Sequence, residues 1–141
     1  MTEVMQTLVL IKPDGVARNL IGEIVSRCEA KGYVVRELKS IHASRELLEQ
    51  HYAEHVGKPF YEPLVEFMLS GAIVAIRLEG HRVIEGFRSL AGATDPTVAA
   101  PGTIRGDYTC DMMSNLIHGS DAPETAAEEM ALWFSEGELL A

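Results

Sequence analysis

Cysteine is scarce in this chain: Cys28 and Cys110 are the two among 141 residues. They form no metal-ligand spacing, and nothing marks a secretory context, so neither a disulfide framework nor a cysteine-built zinc site is expected. Aromatics are few, at 6% of residues, with a single tryptophan. No apolar run approaches the ~18 residues that a membrane-spanning helix needs, and no charged-then-apolar segment opens the chain as a secretory signal would. A cytoplasmic location is the expectation. Positive charge is in the minority: 12 Lys and Arg stand against 21 Asp and Glu, for a net charge of −9. A chain of that sign does not hold nucleic acid by a general basic surface. The sequence also lacks a GxxxxGK[ST] loop and a kinase-type GxGxxG, so nucleotide phosphates would not be cradled in those ways. Repeats, linkers and low-complexity tracts are missing as well, which points to one domain spanning 1–141.

What remains is an ordinary globular mixture, 47% hydrophobic and 23% charged, long enough to bury a substantial core. Strand and helix patterns alternate along it. Residues 7–11 form a β-prone run ending at Pro13-Asp14-Gly15, a turn signal. Asn19 is placed to cap a helix reaching about Lys31, with Leu20, Ile21, Ile24, Val25 and Cys28 as its apolar stripe and Gly32 just past its end. A strand is expected over 33–43, a short helix from Ser44 to about Glu54, a helix over 61–69, a strand over 72–78 and a helix over 80–90. Residues 91–114 carry no clear period, and a loop that long in a compact domain is usually functional. A brief strand over 116–118 follows. Asp121 and Glu124 then have the spacing of a capping box for the last helix. The order βαββαβ describes an α+β fold of the ferredoxin-like kind, a four-stranded antiparallel sheet with helices packed on it.

Chemistry concentrates at Asn115 to Asp121, NLIHGSD. His118 ends a short apolar run and precedes a polar turn. Histidine can serve as nucleophile, base or acid near neutral pH, and at a strand end its ring can face a cleft; a histidine that merely closes a strand end fits the same pattern. On the following helix, at about 100° per residue, Ala126, Met130, Trp133 and Phe134 share one face. Glu128 points away from it, and Glu129 lies at its edge. A carboxylate there can orient a neighbouring imidazole and stabilise its positive charge, as the third group of a nucleophile–base–orienter set does. A snorkelling surface glutamate fits too. An acidic chain that binds phosphate must gather its cations in one cleft. Lys12, Arg18, Arg88 and Arg105 each lie beside a Gly-rich or Pro-containing turn and are the candidates, lysine as a point charge and arginine as a fork. Thr94 can donate a hydroxyl proton to phosphate. Tyr52 and Phe60 flank a Gly-Lys-Pro turn, where an aromatic can stack on a base of any kind. A rival motif overlaps this segment: His51-Tyr52-Ala53-Glu54-His55 reads H-x-x-E-H, a zinc-peptidase signature, without a third ligand downstream.

Six segments together resemble the nucleoside diphosphate kinase family, nearly end to end and in the family's order. They are TLVLIKPDGV (7–16), HYAEHVGKPFY (51–61), MLSGAIVAI (68–76), AGATDP (91–96), PGTIRGDY (101–108) and NLIHGSD (115–121). The resemblance implies the ferredoxin-like fold already expected. It also implies ping-pong transfer of a γ-phosphate from a nucleoside triphosphate to a nucleoside diphosphate through a phosphohistidine at His118. Carried over residue by residue, Glu129 matches the histidine's partner, with Ser120 nearby. Lys12, Tyr52, Arg88, Thr94, Arg105 and Asn115 match nucleotide-binding positions, Lys12 serving catalysis as well, and Phe60 matches the base-stacking position. Mg²⁺ would arrive on the nucleotide, and the partners would be nucleoside di- and triphosphates and further copies of the chain, as a hexamer or a tetramer built from dimers, with 91–114 as the trimer contact in hexamers. The chain departs from the common pattern at Ala72, Met112, Met113 and Ala122, none of them a catalytic position. A nucleotide-binding regulatory module of the same fold is the non-enzymatic alternative; it would need neither His118 nor Glu129.

Overall fold

The computed structural model describes residues 4–134. Four strands, β1 (Val4–Ile11), β2 (Val34–Ile41), β3 (Ile73–His81) and β4 (Ile117–Gly119), form one sheet in the order β2-β3-β1-β4. Every neighbouring pair is antiparallel. The helices are α1 (Pro13–Ala17), α2 (Ile21–Lys31), α3 (Arg45–His51), α4 (Tyr61–Leu69), α5 (Val83–Ala91), α6 (Ile104–Tyr108) and α7 (Pro123–Trp133). Each half of the chain threads a strand, a helical crossover and a second strand with one strand left between them, which is the ferredoxin-like arrangement expected from sequence.

The apolar run of β1 explains its central place. Side chains alternate faces along a strand, yet Leu8, Val9, Leu10 and Ile11 are all fully buried. Leu8 and Leu10 enter one core with Leu48 of α3, Val65 and Met68 of α4, and Met130 and Trp133 of α7. Val9 and Ile11 enter the other with Ile24 and Cys28 of α2, Phe87 of α5 and Ile104 of α6. A strand covered on both faces needs no polar alternation. The edge strand β2 differs: it alternates exposed and half-buried residues, leaves Val34 and Leu38 exposed, and bulges between Val35 and Glu37.

Several local expectations shift. Asn19 does not cap α2. The Pro-Asp-Gly segment forms the short helix α1, Asn19 leaves it with φ 60°, a left-handed conformation that asparagine tolerates, and Leu20 occupies the N-cap. Asp121 and Glu124 form no capping box either, because Pro123 takes the first helical turn and moves the cap to Ala122. The helix expected to run to Glu54 stops at His51 and gives way to a 3₁₀ turn over Ala53–His55. Ser44 does cap α3, accepting from Leu47 N–H at 3.1 Å, and Gly32 ends α2 with φ 111°. Within the expected loop 91–114, α6 is a single five-residue turn of helix capped by Thr103, too short to impose a period on the sequence.

Candidate active site

The strand ends of β1 and β4 meet the 91–114 segment at a cleft of about 460 Å³, lined among others by Lys12, Arg88, Thr94, Arg105, Asn115 and His118. These six candidates come from widely separated segments, and the fold delivers them to one wall. Three are cations, and among the described residues no carboxylate lines this cleft. The concentration of positive charge required of an acidic chain is therefore built here. Arg18 is not part of it: its guanidinium donates to Tyr108 O at 2.7 Å on the exterior.

Lys12 follows β1 directly and is 9% exposed. Its ammonium donates to Asn115 Oδ1 at 2.8 Å, and the Asn115 amide donates to Thr94 O at 3.2 Å. Burial, then the charge of Arg105, lowers the Lys12 pKa from 10.5 to about 8, against the opposing pull of Asp14. Arg105, also buried, donates through Nε to Asn115 O at 3.1 Å, through Nη1 to Gly92 O at 2.9 Å and through Nη2 to Ile117 O at 2.7 Å. Its fork clamps the two loops that flank the cleft, so what it offers a ligand in this state is charge more than free donors. Burial, followed by the nearby charge of Arg88, brings its pKa down from 12.5 to about 10. Arg88 projects from α5 and is exposed.

His118 is mounted on β4, opposite Leu10 of the buried central strand. Its Nε2 lies 3.0 Å from Glu129 Oε1, and the Ser120 hydroxyl donates to the same oxygen at 2.6 Å. Glu129 is 8% exposed while Glu128 faces solvent, so the helix-edge placement expected from sequence is the one observed. Burial pushes the Glu129 carboxyl up, but the His118 hydrogen bond and charge and the Ser120 hydroxyl together hold it below the usual value. With Nε2–H facing a carboxylate, the lone pair of the neutral ring sits on Nδ1.

A residue whose position sequence reasoning missed completes the cluster. The His51 ring packs edge-on against His118, centroids 4.8 Å apart. Trp133 Nε1–H donates to His51 Nδ1 at 3.1 Å. Burial, then the neighbouring His118, lowers the His51 pKa from 6.5 to about 3, so it stays neutral. The pairing spans 82 positions in sequence, and the sequence around His51 signalled zinc instead. That motif fails geometrically. His51 ends α3 while His55 lies in the 3₁₀ turn against Phe60, so the two do not share a helix face. Tyr52 is buried and lines a second cleft of about 600 Å³, which also reaches His118 and Glu129. Phe60 is 45% exposed and lines neither cleft.

The family model described as nucleoside diphosphate kinase matches residues 5–139. The nucleoside diphosphate kinase of Rubrobacter xylanophilus is 59% identical over 129 residues, covering 92% of this chain and 97% of that protein. Among solved structures, a halophilic nucleoside diphosphate kinase from Halobacterium salinarum in complex with CDP superposes with a TM-score of 0.93 at 47% identity, over 100% of this chain and 93% of the other. The apo enzyme from Encephalitozoon cuniculi gives 0.92 at 39% identity, over 97% and 93%. A histidine backed by a carboxylate in a cation-lined cleft, on a ferredoxin-like sheet, thus coincides with end-to-end similarity, and the chain belongs to the nucleoside diphosphate kinase family.

Proposed function

We propose that the enzyme moves the γ-phosphate of a nucleoside triphosphate to a nucleoside diphosphate in two half-reactions through His118. In the first, Nδ1 forms a bond to the γ-phosphorus as the bond to the β,γ-bridging oxygen breaks, and the diphosphate leaves with that electron pair. In the second, the terminal oxygen of another diphosphate attacks the same phosphorus and the N–P bond breaks. The observation that carries this reading is the contact between His118 Nε2 and Glu129, 3.0 Å long, beside a cleft bearing Lys12, Arg88 and Arg105. Phosphoryl transfer asks chiefly for positioning and charge neutralisation. Glu129 and Ser120 orient the ring. Lys12 and Asn115, already bonded to each other, present an ammonium and an amide to phosphate oxygens, and Thr94 adds a hydroxyl.

Mg²⁺ is carried in on the nucleotide phosphates. A cleft lined by cations and, among the described residues, by no carboxylate is a poor cage for a hard cation, which prefers several oxygen ligands, and a good receptor for one already masked by phosphate. CDP in the Halobacterium relative agrees with a diphosphate occupant. Phe60, exposed beside His55, would offer a stacking face indifferent to base identity. Homo-oligomerisation, as a hexamer or a tetramer of dimers, is supported by Val34 and Leu38 exposed on the edge strand and Val98 and Met112 exposed on the long loop. A cytoplasmic setting is supported by the free cysteines Cys28 and Cys110; among the described residues no helix is long and apolar enough to cross a membrane.

Incubation with γ-labelled ATP tests the mechanism. The label is expected on the protein, stable to base and lost in acid, and released to any added nucleoside diphosphate. Label that never transfers from the isolated phosphoprotein would leave the regulatory-module reading in its place.

A further inference from the structure

Between Asn115 and His118 the backbone makes a turn that leucine resists. Leu116 has φ 76°, and Ile117 N–H bonds Asn115 O at 2.9 Å. Residues 115–117 therefore form a γ-turn of the positive-φ kind, which is rare and strained. Such a conformation in a bulky residue persists only where the surroundings over-determine it. The surroundings here are specific. Lys12 N–H donates to Leu116 O at 2.8 Å, Arg105 donates to the carbonyls on either side, and Asp14 Oδ2 accepts Leu116 N–H at 3.0 Å. The Leu116 side chain is fully buried.

Asp14 is the member of this set with no part in the transfer scheme above. It sits on α1, two residues past Lys12, with Oδ1 buried and the backbone amides of Asp14 and Gly15 beside its carboxylate. Burial is the largest influence on the carboxyl and pushes its pKa up. A buried acid beside a phosphate site is unfavourable on two counts, desolvation and repulsion of the ligand. Two contributions stand against those costs: its charge supports protonation of Lys12, and its carboxylate holds the Leu116 N–H. That bond fixes the direction of the peptide joining Asn115, which faces Lys12, to the strand carrying His118.

We propose that Asp14 is a positioning residue for phosphoryl transfer, its carboxylate holding the strained Leu116 turn that aims Asn115 and His118 into one cleft. The proposal rests on His118 being the phosphate carrier. Were Leu116 to relax to negative φ, the Asn115 amide would swing off Lys12 and the β4 pairing at His118 would lose its register.

Asp14→Asn and Asp14→Ala separate this from a charge effect. The asparagine retains an oxygen that accepts the Leu116 N–H, and both variants remove the negative charge that supports Lys12 protonation. Rates are taken per phosphorylatable site, counted from acid-labile label, and nucleoside diphosphate affinity is measured by calorimetry. The expected result is a loss of about 10²-fold in kcat/KM per site for Asp14→Ala, the scale set by a displacement of about an ångström. Affinity should fall about tenfold, with Asp14→Asn close to wild type on both measures. Equal losses in the two variants would assign the effect to charge and overturn the proposal. A lower melting temperature for Asp14→Ala with wild-type rate per site and affinity would make Asp14 merely structural and overturn it as well. If Asp14→Ala does not fold, Asp14→Leu, similar in volume and without an acceptor, takes its place. The affinity comparison involves no phosphohistidine, so wild-type protein that takes up no label would count against the carrier assignment and leave this comparison standing.

Discussion

His118 and Glu129 are eleven residues apart and meet at 3.0 Å, Nε2 to Oε1, across the junction of β4 and α7. The contact assigns the two ring nitrogens different work: Nε2–H faces the carboxylate, and Nδ1 is left to react. As phosphate bonds to Nδ1 the ring gains positive charge, and a buried anion on its far side stabilises that charge. Glu129→Gln preserves volume and a hydrogen-bonding oxygen but removes the charge. Single-turnover phosphorylation at saturating ATP should slow by about 10²-fold, or about 2.7 kcal/mol of transition-state stabilisation, with diphosphate binding barely changed. Equal rates for the two proteins would sink the argument.

Removal of the imidazole is a different experiment. His118→Ala should abolish phosphotransfer while nucleotide binding persists, because Lys12, Asn115, Thr94 and the arginines that line the cleft are untouched. Activity near wild type in the purified variant would exclude His118 as carrier.

Lys12 predicts the pH dependence of binding. Its pKa in the free enzyme, lowered from 10.5 to about 8 by burial and then by Arg105, is below the ordinary lysine value. Phosphate favours the charged form, so the bound-state pKa is higher. Nucleotide binding should take up a proton when the pH lies above about 8, and affinity should fall as pH rises through that value toward the bound-state pKa. Calorimetry in buffers of different ionisation enthalpy measures the uptake. No uptake at alkaline pH would mean that Lys12 remains charged in the free cleft.

Arg105 should prove as much structural as electrostatic. Lysine at this position carries the same charge but cannot reach the carbonyls of Gly92, Asn115 and Ile117 together. A buried acceptor left unpaired costs about 1–3 kcal/mol, so Arg105→Lys is expected to lower the melting temperature by several degrees as well as reduce activity. An unchanged melting curve would show that the clamp contributes little to stability.

What the sequence made legible was whatever depends on local pattern. Thr7 to Ile11 announced a strand, Gly32 a helix end, and the apolar stripe of α7 placed Glu129 at its boundary. What it concealed depends on tertiary partners. Nothing around His51 points to Trp133, and only the approach of α3 to α7 makes that pair. The hold on the Leu116 turn joins Lys12 and Asp14, from the end of β1 and α1, with Arg105 from α6, some ninety positions away in sequence. The capping box at Asp121 failed for a local reason that the pattern also contained, since Pro123 favours the first helical position and shifts the cap by one residue. Arg105 was recognised as a cation of the site, but its three bonds to backbone carbonyls follow from the path of two loops and not from its neighbours in sequence.

The pairing of β4 with β1 bears on how the enzyme fails. A three-residue strand has little hold of its own, yet Leu10, which pairs with His118, belongs to a central strand whose last four residues are fully buried. Segments that open independently of the rest are those with few buried contacts, and the reactive histidine is not hung on one. Amide exchange in β4 should accordingly share the slow regime of the central strand, and loss of activity on heating should coincide with cooperative melting instead of preceding it.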